Sequence, residues 1–529
     1  MSDQYILQKS ESDVTNPISE MNDSYIIRLP DSNFSNYSSS QVVFNNLASL
    51  ANYNANLSLA ESYIEIPYTV TMSGTNLPTD NQYALGLKGF LNLIHSYEIT
   101  IDDQVIENVV PMSHIPANFR LLSSMSEDAM NNSSDEFNYK KDLDNIEYAD
   151  KLGECNQYDN SVTDYGNKGQ QERMEYTNFD PAETRNALYT NEVMTKARRQ
   201  SYYKAATGKM TYFYMAIIPL KHLSQFFANS VLQKGTYLKL LLNVNTATTN
   251  LTVTTGTGAI TAVSTTSSFN YCPYMLSKSK AGLDISAAIT AVTIKSGIIQ
   301  ANATDATPFG TTCNFVAKFY KMDLKVESNY FSRKTRAITH EKFINSTLYN
   351  VAPGLEFDHL ASASVNKMRY ILIVPLLSAN TNGRATPALN STGSAFSVLN
   401  SPFTNAGQTT SFGANIQNFN ILVNAIQHYK NPVTYNHELF TREIVKANAI
   451  SGAHEMGINS GLISLKDFQT HMGFVYVDMK RKENELDDNI SVPVQIVGIN
   501  NNLNYMDYHI FICQEVVHTV DITTGKLVV

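Results

Sequence analysis

The chain has 529 residues, and because single hydrophobic cores stop growing near about 250–300 residues this length predicts two large domains. Hydrophobic residues make up 43% and charged residues 16%, the latter below the roughly 25% of ordinary soluble domains, so much of the surface is expected to lie against neighbours. A net charge of −9 and a pI near 5.7 exclude a protein whose main work is gripping nucleic-acid phosphates.

Residues 1–40 read as a polar, flexible arm. Over residues 1–31 it carries six acids (Asp3, Glu11, Asp13, Glu20, Asp23, Asp31) against Lys9 and Arg28, whereas arms that neutralise nucleic acid are basic. Met1–Ser12 has no basic segment followed by an apolar one, so it does not read as a secretory signal. From residue 41 strand signals dominate. Ser62–Met72 is β-branched and aromatic. His95–Ile101 alternates His95, Tyr97, Ile99 and Ile101 with Ser96, Glu98 and Thr100, Asp102-Asp103 reads as a turn, and Gln104–Val110 as the return strand. Residues 125–200 are polar and read as a large excursion from the first domain.

Met210–Leu220 (MTYFYMAIIPL) reads as an apolar strand, Lys221–Asn229 as a short helix and Thr236–Val244 as a strand opened by Gly235. Thr246–Ser268 reads as strand and loop, because Thr and Gly suit helix interiors poorly, and Thr312–Ser328 as one long strand. In the second half, Lys367–Leu376 reads as a strand and 379–418 as a polar connection. Phe474–Met479, Ser491–Gly498 and Tyr505–Val520 follow as strands, with Asp507–Cys513 apolar enough to be buried on both sides. Many strands, few short helices and no alternation of strand and helix predict an all-β protein of two sandwiches, divided at 41–328 and 329–529. Ile218–Leu223 (IPLKHL) echoes Ile463–Phe468 (ISLKDF) 245 residues later, as a duplicated domain would.

Chemistry-bearing motifs are sparse. Cys155, Cys272, Cys313 and Cys513 form no CxxC pair, so neither a zinc site on that spacing nor a disulfide framework is expected. His454-Glu455 lacks the second histidine of a zinc-protease motif, and Thr255-Gly256-Thr257-Gly258 lacks the lysine of a phosphate loop. Glu483, Glu485, Asp487 and Asp488 do not follow calcium-loop spacing and read as a solvated loop. Arg198, Arg199 and Lys204 beside Tyr202 and Tyr203 could stack on nucleic acid, but the acidic balance favours surface ion pairs. No catalytic residue, cofactor or metal ligand is assigned.

Several ordered segments carry a family resemblance. Leu93–Ser96 followed by a hairpin and Phe119–Ser123 is similar to the early strands of a first roll. Ile218-Pro219-Leu220 resembles its strand-and-helix unit, and Phe319–Val326 its last strand. Ser401–Phe403, Asn420–Val423, Tyr435–Phe440, Ser460–Ile463 and Phe474–Arg481 resemble a second roll in order. Together they resemble the double jelly-roll major capsid proteins of virophages and polinton-like viruses. The resemblance implies two tandem eight-stranded jelly rolls in a non-enzymatic chain. It implies homotrimers of pseudo-hexagonal outline that tile an icosahedral virion beside penton and minor capsid proteins. It leaves open whether a membrane lies beneath the shell. The competing readings are a β-sandwich attachment protein that binds glycans, disfavoured by the absence of Trp, and an all-β polysaccharide enzyme, for which no carboxylate pair stands out.

Overall fold

The period-2 patterning of the sequence is realised as two β-sandwiches whose strands repeat one order. The computed structural model describes residues 21–33, 41–45, 50, 52–74, 82–85, 90–124, 174–176, 202–206, 208–246, 248–253, 260–265, 275–278, 289–296, 312–377, 415–446, 474–479, 490–502 and 505–528. In the first sandwich the strands are β1 (Met21–Pro30), β2 (Gln41–Phe44), β3 (Asn56–Gly74), β4 (Ile94–Ile101), β5 (Gln104–Glu107), β6 (Lys209–Pro219), β7 (Leu238–Val244) and β8 (Asn314–Met322). In the second they are β9 (Thr335–Val351), β10 (Glu356–Val365), β11 (Met368–Leu377), β12 (Ile416–Val423), β13 (Ile426–Gln427), β14 (Val475–Asp478), β15 (Val492–Asn500) and β16 (Met506–Asp521). The first sandwich pairs them β1-β8-β3-β6 and β2-β7-β4-β5. The second pairs them β9-β16-β11-β14 and β10-β15-β12-β13, the same order eight strands later. A short β17 (Lys526–Val528) is added to the end of β16.

Further strands of the first half extend this plan. Tyr202–Ala206 pairs with β6, and Ile289–Ser296 pairs with β3 beyond β8. Thr248–Val253 joins Ile289–Ser296 and Ile260–Thr265. Gln82–Leu85, Met174–Tyr176 and Met275–Lys278 form a separate three-stranded sheet.

Proline placement follows backbone pairing. Pro67 lies in β3 between the stretch paired with β8, which ends at Glu65, and the stretch paired with Ile289–Ser296, which starts at Tyr68. Pro375 lies in β11 beyond Ile373, where pairing with β14 stops. A residue without an N–H is tolerated where one strand edge is open.

Several sequence readings are corrected. Met21–Pro30, read as part of a flexible arm, is the edge strand β1. Tyr25, Ile27 and Leu29 alternate inward against the core, and Tyr25 stacks on Phe319 at 5.4 Å. Phe119–Ser123 is not strand but the end of helix α1 (His114–Ser124), whose Pro116 sits in the first turn, where N–H groups have no helical partner. The long strand expected over Thr312–Ser328 stops at Met322. Asp323 caps α4 (Leu324–Tyr330) by accepting from the Lys325 N–H at 2.9 Å. The short helix expected over Lys221–Asn229 is two single turns, α2 (Leu220–Leu223) and α3 (Gln225–Ala228). Helix α5 (His437–Lys446) occupies a stretch that the resemblance left unassigned in type. Most of 125–200 and 379–418, and all of 463–468, lie outside the described residues. Strand order makes β15 the counterpart of β7 and β14 that of β6.

Candidate functional site

The two sandwiches meet in a buried joint, and the joint is where this chain concentrates its polar chemistry. Sheet β9-β16-β11-β14 is covered on both faces. Tyr508 to Cys513 and Tyr370 to Val374 are buried without a break, as expected from the uninterrupted apolar run at Asp507–Cys513. Alternation places Tyr508 toward the partner sheet, with its ring 5.3 Å from Phe357, while Tyr370 and Tyr476 point toward the first sandwich. There α1 inserts Phe119, fully buried. Its ring lies 5.4 Å from Tyr476, 5.5 Å from Phe474 and 6.2 Å from Tyr370, and Phe474 packs on Phe440 of α5 at 5.0 Å. Such ring pairs add to the burial of apolar area.

Around this plug lies a hydrogen-bonded network. Glu107, at the end of β5, accepts from the Ser224 hydroxyl, and the Tyr97 hydroxyl lies 2.9 Å from its other oxygen. Its Oε1 is 3.5 Å from Nδ1 of His340 on β9, across the joint. Nε2 of His340 is 2.9 Å from Nδ1 of His518 on β16, with the rings stacked at 5.1 Å and the edge of Phe226 against His340 at 5.3 Å. Arg120 donates to the carbonyls of His222 and Leu223 at 3.1 and 3.3 Å. In the second sandwich Arg369 forks onto Glu515 and lies 3.8 Å from Glu341. Burial pushes the Glu341 carboxyl upward, and the cations of Arg120 and Arg369 partly offset this. Burial likewise raises the Cys513 thiol, with Glu341 adding to the shift, so Cys513 is a packed side chain and not an activated nucleophile.

A third contact closes the far end. The turn after β16 docks on Lys234–Thr236: the Lys234 N–H donates to the Ile522 carbonyl at 2.8 Å, and Lys526 lies 3.5 Å from Asp102. Ile522 joins Val231, Leu232, Met322 and Tyr330 in a small separate core.

Of the motifs weighed in the sequence, His454-Glu455, Thr255–Gly258, the 483–488 acids and Arg198-Arg199 lie outside the described residues. Tyr202, Tyr203 and Lys204 are placed only as backbone in the strand beside β6. Among the described residues no group of three or more potential metal ligands occurs, and no helix is long and apolar enough to cross a membrane. Sequence reasoning missed the joint itself. Its residues come from many separate strands and helices of both sandwiches, and the doubly apolar run of β16 is what signals it.

No family model and no curated protein matches the sequence. Among solved structures 42 chains match. One is a chain of the 3.5 Å cryo-EM structure of the Sputnik virophage, with a TM-score of 0.54 and 12% identity over 99% of this chain and 91% of that one. The fold is a double jelly roll. The crystal structure of the mavirus major capsid protein also matches, with a TM-score of 0.47 and 12% identity over 98% of this chain and 92% of that one. At such identities the fold is what is shared. The double jelly roll here spans β1 to β16, with the joint fusing its two rolls.

Proposed function

We propose that this chain is a major capsid protein that assembles as homotrimers of pseudo-hexagonal outline, and that these tile an icosahedral virion. The observation that carries the reading is the match of fold to a virophage chain over 99% of this chain. Two rolls of identical strand order side by side give a subunit with two similar lobes. Three such subunits in a closed ring present six lobes, the outline needed to fill a hexagonal lattice. Exposed Tyr349, Leu355 and Tyr505 lie near where β9 and β15 end and β16 begins, and they offer apolar area for contact between copies. The role is structural and not enzymatic. Penton and minor capsid proteins are the expected further partners, and a net charge of −9 argues against specific nucleic-acid binding.

Light scattering after size-exclusion chromatography of the purified full chain tests this. A species of three times 58.9 kDa, with six-lobed particles in negative stain, is expected. A stable monomer across the micromolar range would remove the trimer and, with it, the shell.

A further inference from the structure

Histidines gather at the joint from both rolls. His95 on β4 and His114 at the start of α1 come from the first roll, and the Ser113 N–H donates to the His95 carbonyl at 3.0 Å, seating the start of α1 on β4. His509 comes from β16 of the second roll, on the face that receives Phe119, with Nδ1 3.2 Å from the Thr347 hydroxyl. All three are buried, and both ring nitrogens of His114 lack a well-formed hydrogen bond. The ionisable groups acting on His114 are His95 and His509, whose charge opposes a proton there, while the Ile94 and His95 carbonyls offset this in part. A second group is the stacked His340–His518 pair. Its 2.9 Å contact requires one nitrogen to accept, and the Glu107 carboxylate lies beside it. Lys342 acts on His518 as a further cation. The other charged groups of the joint are engaged elsewhere: Arg120 on carbonyls, Glu341 and Glu515 with Arg369, and Glu443 with the Asp478 N–H.

We propose that the joint is an acid-opened latch, in which protonation of His95 and His114 parts the two rolls while each sandwich stays folded. The proposal concerns the bond between the rolls and holds whether or not the chain trimerises. Burial supports it, holding His95 down at about 4 and His114 at about 3, with His95 and His509 adding to the depression of His114. Imidazoles freed by opening return to the ordinary value of about 6.5, so near pH 5 each of the two favours the open form by roughly thirtyfold. Together they favour it by about a thousandfold.

Backbone hydrogen exchange of the full chain, read by mass spectrometry at about pH 7.5 and about pH 5 with intrinsic rates corrected, tests this. Protection of His114–Ser124 is expected to fall by two to three orders of magnitude, roughly as the two imidazoles predict, while Val492–Asn500 inside the second sandwich keeps its own. Equal loss in both segments, or unchanged protection at His114–Ser124, would overturn the latch. His114→Gln, which has no proton to gain, should lower the acid sensitivity of His114–Ser124 by about thirtyfold. The wild-type comparison decides the matter even if that variant folds poorly.

Discussion

Replacing Phe119 by Ala removes a ring that belongs to the first roll by sequence and to the second by packing. The ring is fully buried, so the expected loss starts from the about 3–5 kcal/mol typical of Phe→Ala in a core. Three ring partners at 5.4–6.2 Å place it toward the upper end, about 4–5 kcal/mol, because each aromatic pair adds roughly 0.5–1.5 kcal/mol beyond area burial. The assay is urea denaturation followed by circular dichroism and by tyrosine fluorescence, the chain having no Trp. The diagnostic arm is a double-mutant cycle with Tyr476→Leu, where a coupling of about 1 kcal/mol is expected. Phe44→Ala serves as control. It is equally buried and packs on Phe315 inside the first roll, so it should cost a similar amount with no coupling to Tyr476. Thermal melts add a second reading. Unfolding entropy of about 2 cal/mol/K per residue makes the same loss a shift of roughly 4 °C if the whole chain melts as one unit, and roughly 10 °C if the second roll melts alone. A loss below about 1 kcal/mol, or additivity with Tyr476→Leu within about 0.4 kcal/mol, would refute the plug.

Three further changes test the surrounding contacts. Tyr435→Phe should cost about 2–4 kcal/mol in urea melts, because the Tyr435 hydroxyl donates to the Tyr476 carbonyl at 2.6 Å and accepts from its N–H at 2.9 Å, leaving two buried backbone groups unmatched when it is lost. Gly525→Ala should cost more than about 3 kcal/mol in thermal melts, since φ is +67° and the new Cβ would stand 2.6 Å from Thr236 Cα. Gly354→Ala, at φ +73° with open space, should cost only the local strain of about 1–2 kcal/mol. Arg369→Met should cost about 3 kcal/mol near neutral pH, mostly through the fully buried Glu341, since Glu515 is a third exposed and screened. The sign at Glu341 follows from its raised folded value. Its stabilising neutral form is fully available below the ordinary carboxylate range and is lost as pH rises, so Glu341→Gln should rescue Arg369→Met near neutral pH. Failure of that rescue in denaturant melts would remove Glu341 as the cause.

The parts of the fold legible in sequence are those where one local rule suffices. Period-2 alternation marked β4 and its hairpin, and Asp102-Asp103 signalled a turn that both residues form at positive φ. The equivalent turn of the second roll, Asn424-Ala425 between β12 and β13, also has positive φ at both residues, but Ala seldom adopts that conformation and gave no signal. Strand β1 stayed hidden because an acidic, Asn- and Ser-rich segment reads as an arm, and only pairing with β8 makes its Tyr25, Ile27 and Leu29 a face. Helix α1 was misread because Phe119-Arg120-Leu121-Leu122 is apolar enough for either period, and a Pro in the first turn looks like a break. The joint was illegible for a different reason. His340, Glu107 and Phe119 meet only through tertiary placement, and nothing in their own neighbourhoods announces it.

The likeness of the two rolls lies in their topology. The two rolls share a strand order and a hairpin turn at the same place in that order. What distinguishes the rolls is the joint. The second roll's sheet β9-β16-β11-β14 buries both faces, and the outer of these is covered by α1 from the first roll and by α5. Removed from the first roll, that face would expose Tyr370, Tyr476 and Phe511 to water, while Glu107 would lose its partner across the joint. The second roll therefore has no polar surface of its own on that face, and the smallest unit that hides its apolar area is the fused pair. A lattice built from this chain must use the pair as its repeating element. The rigidity of that element then depends on the few rings and polar groups at the joint.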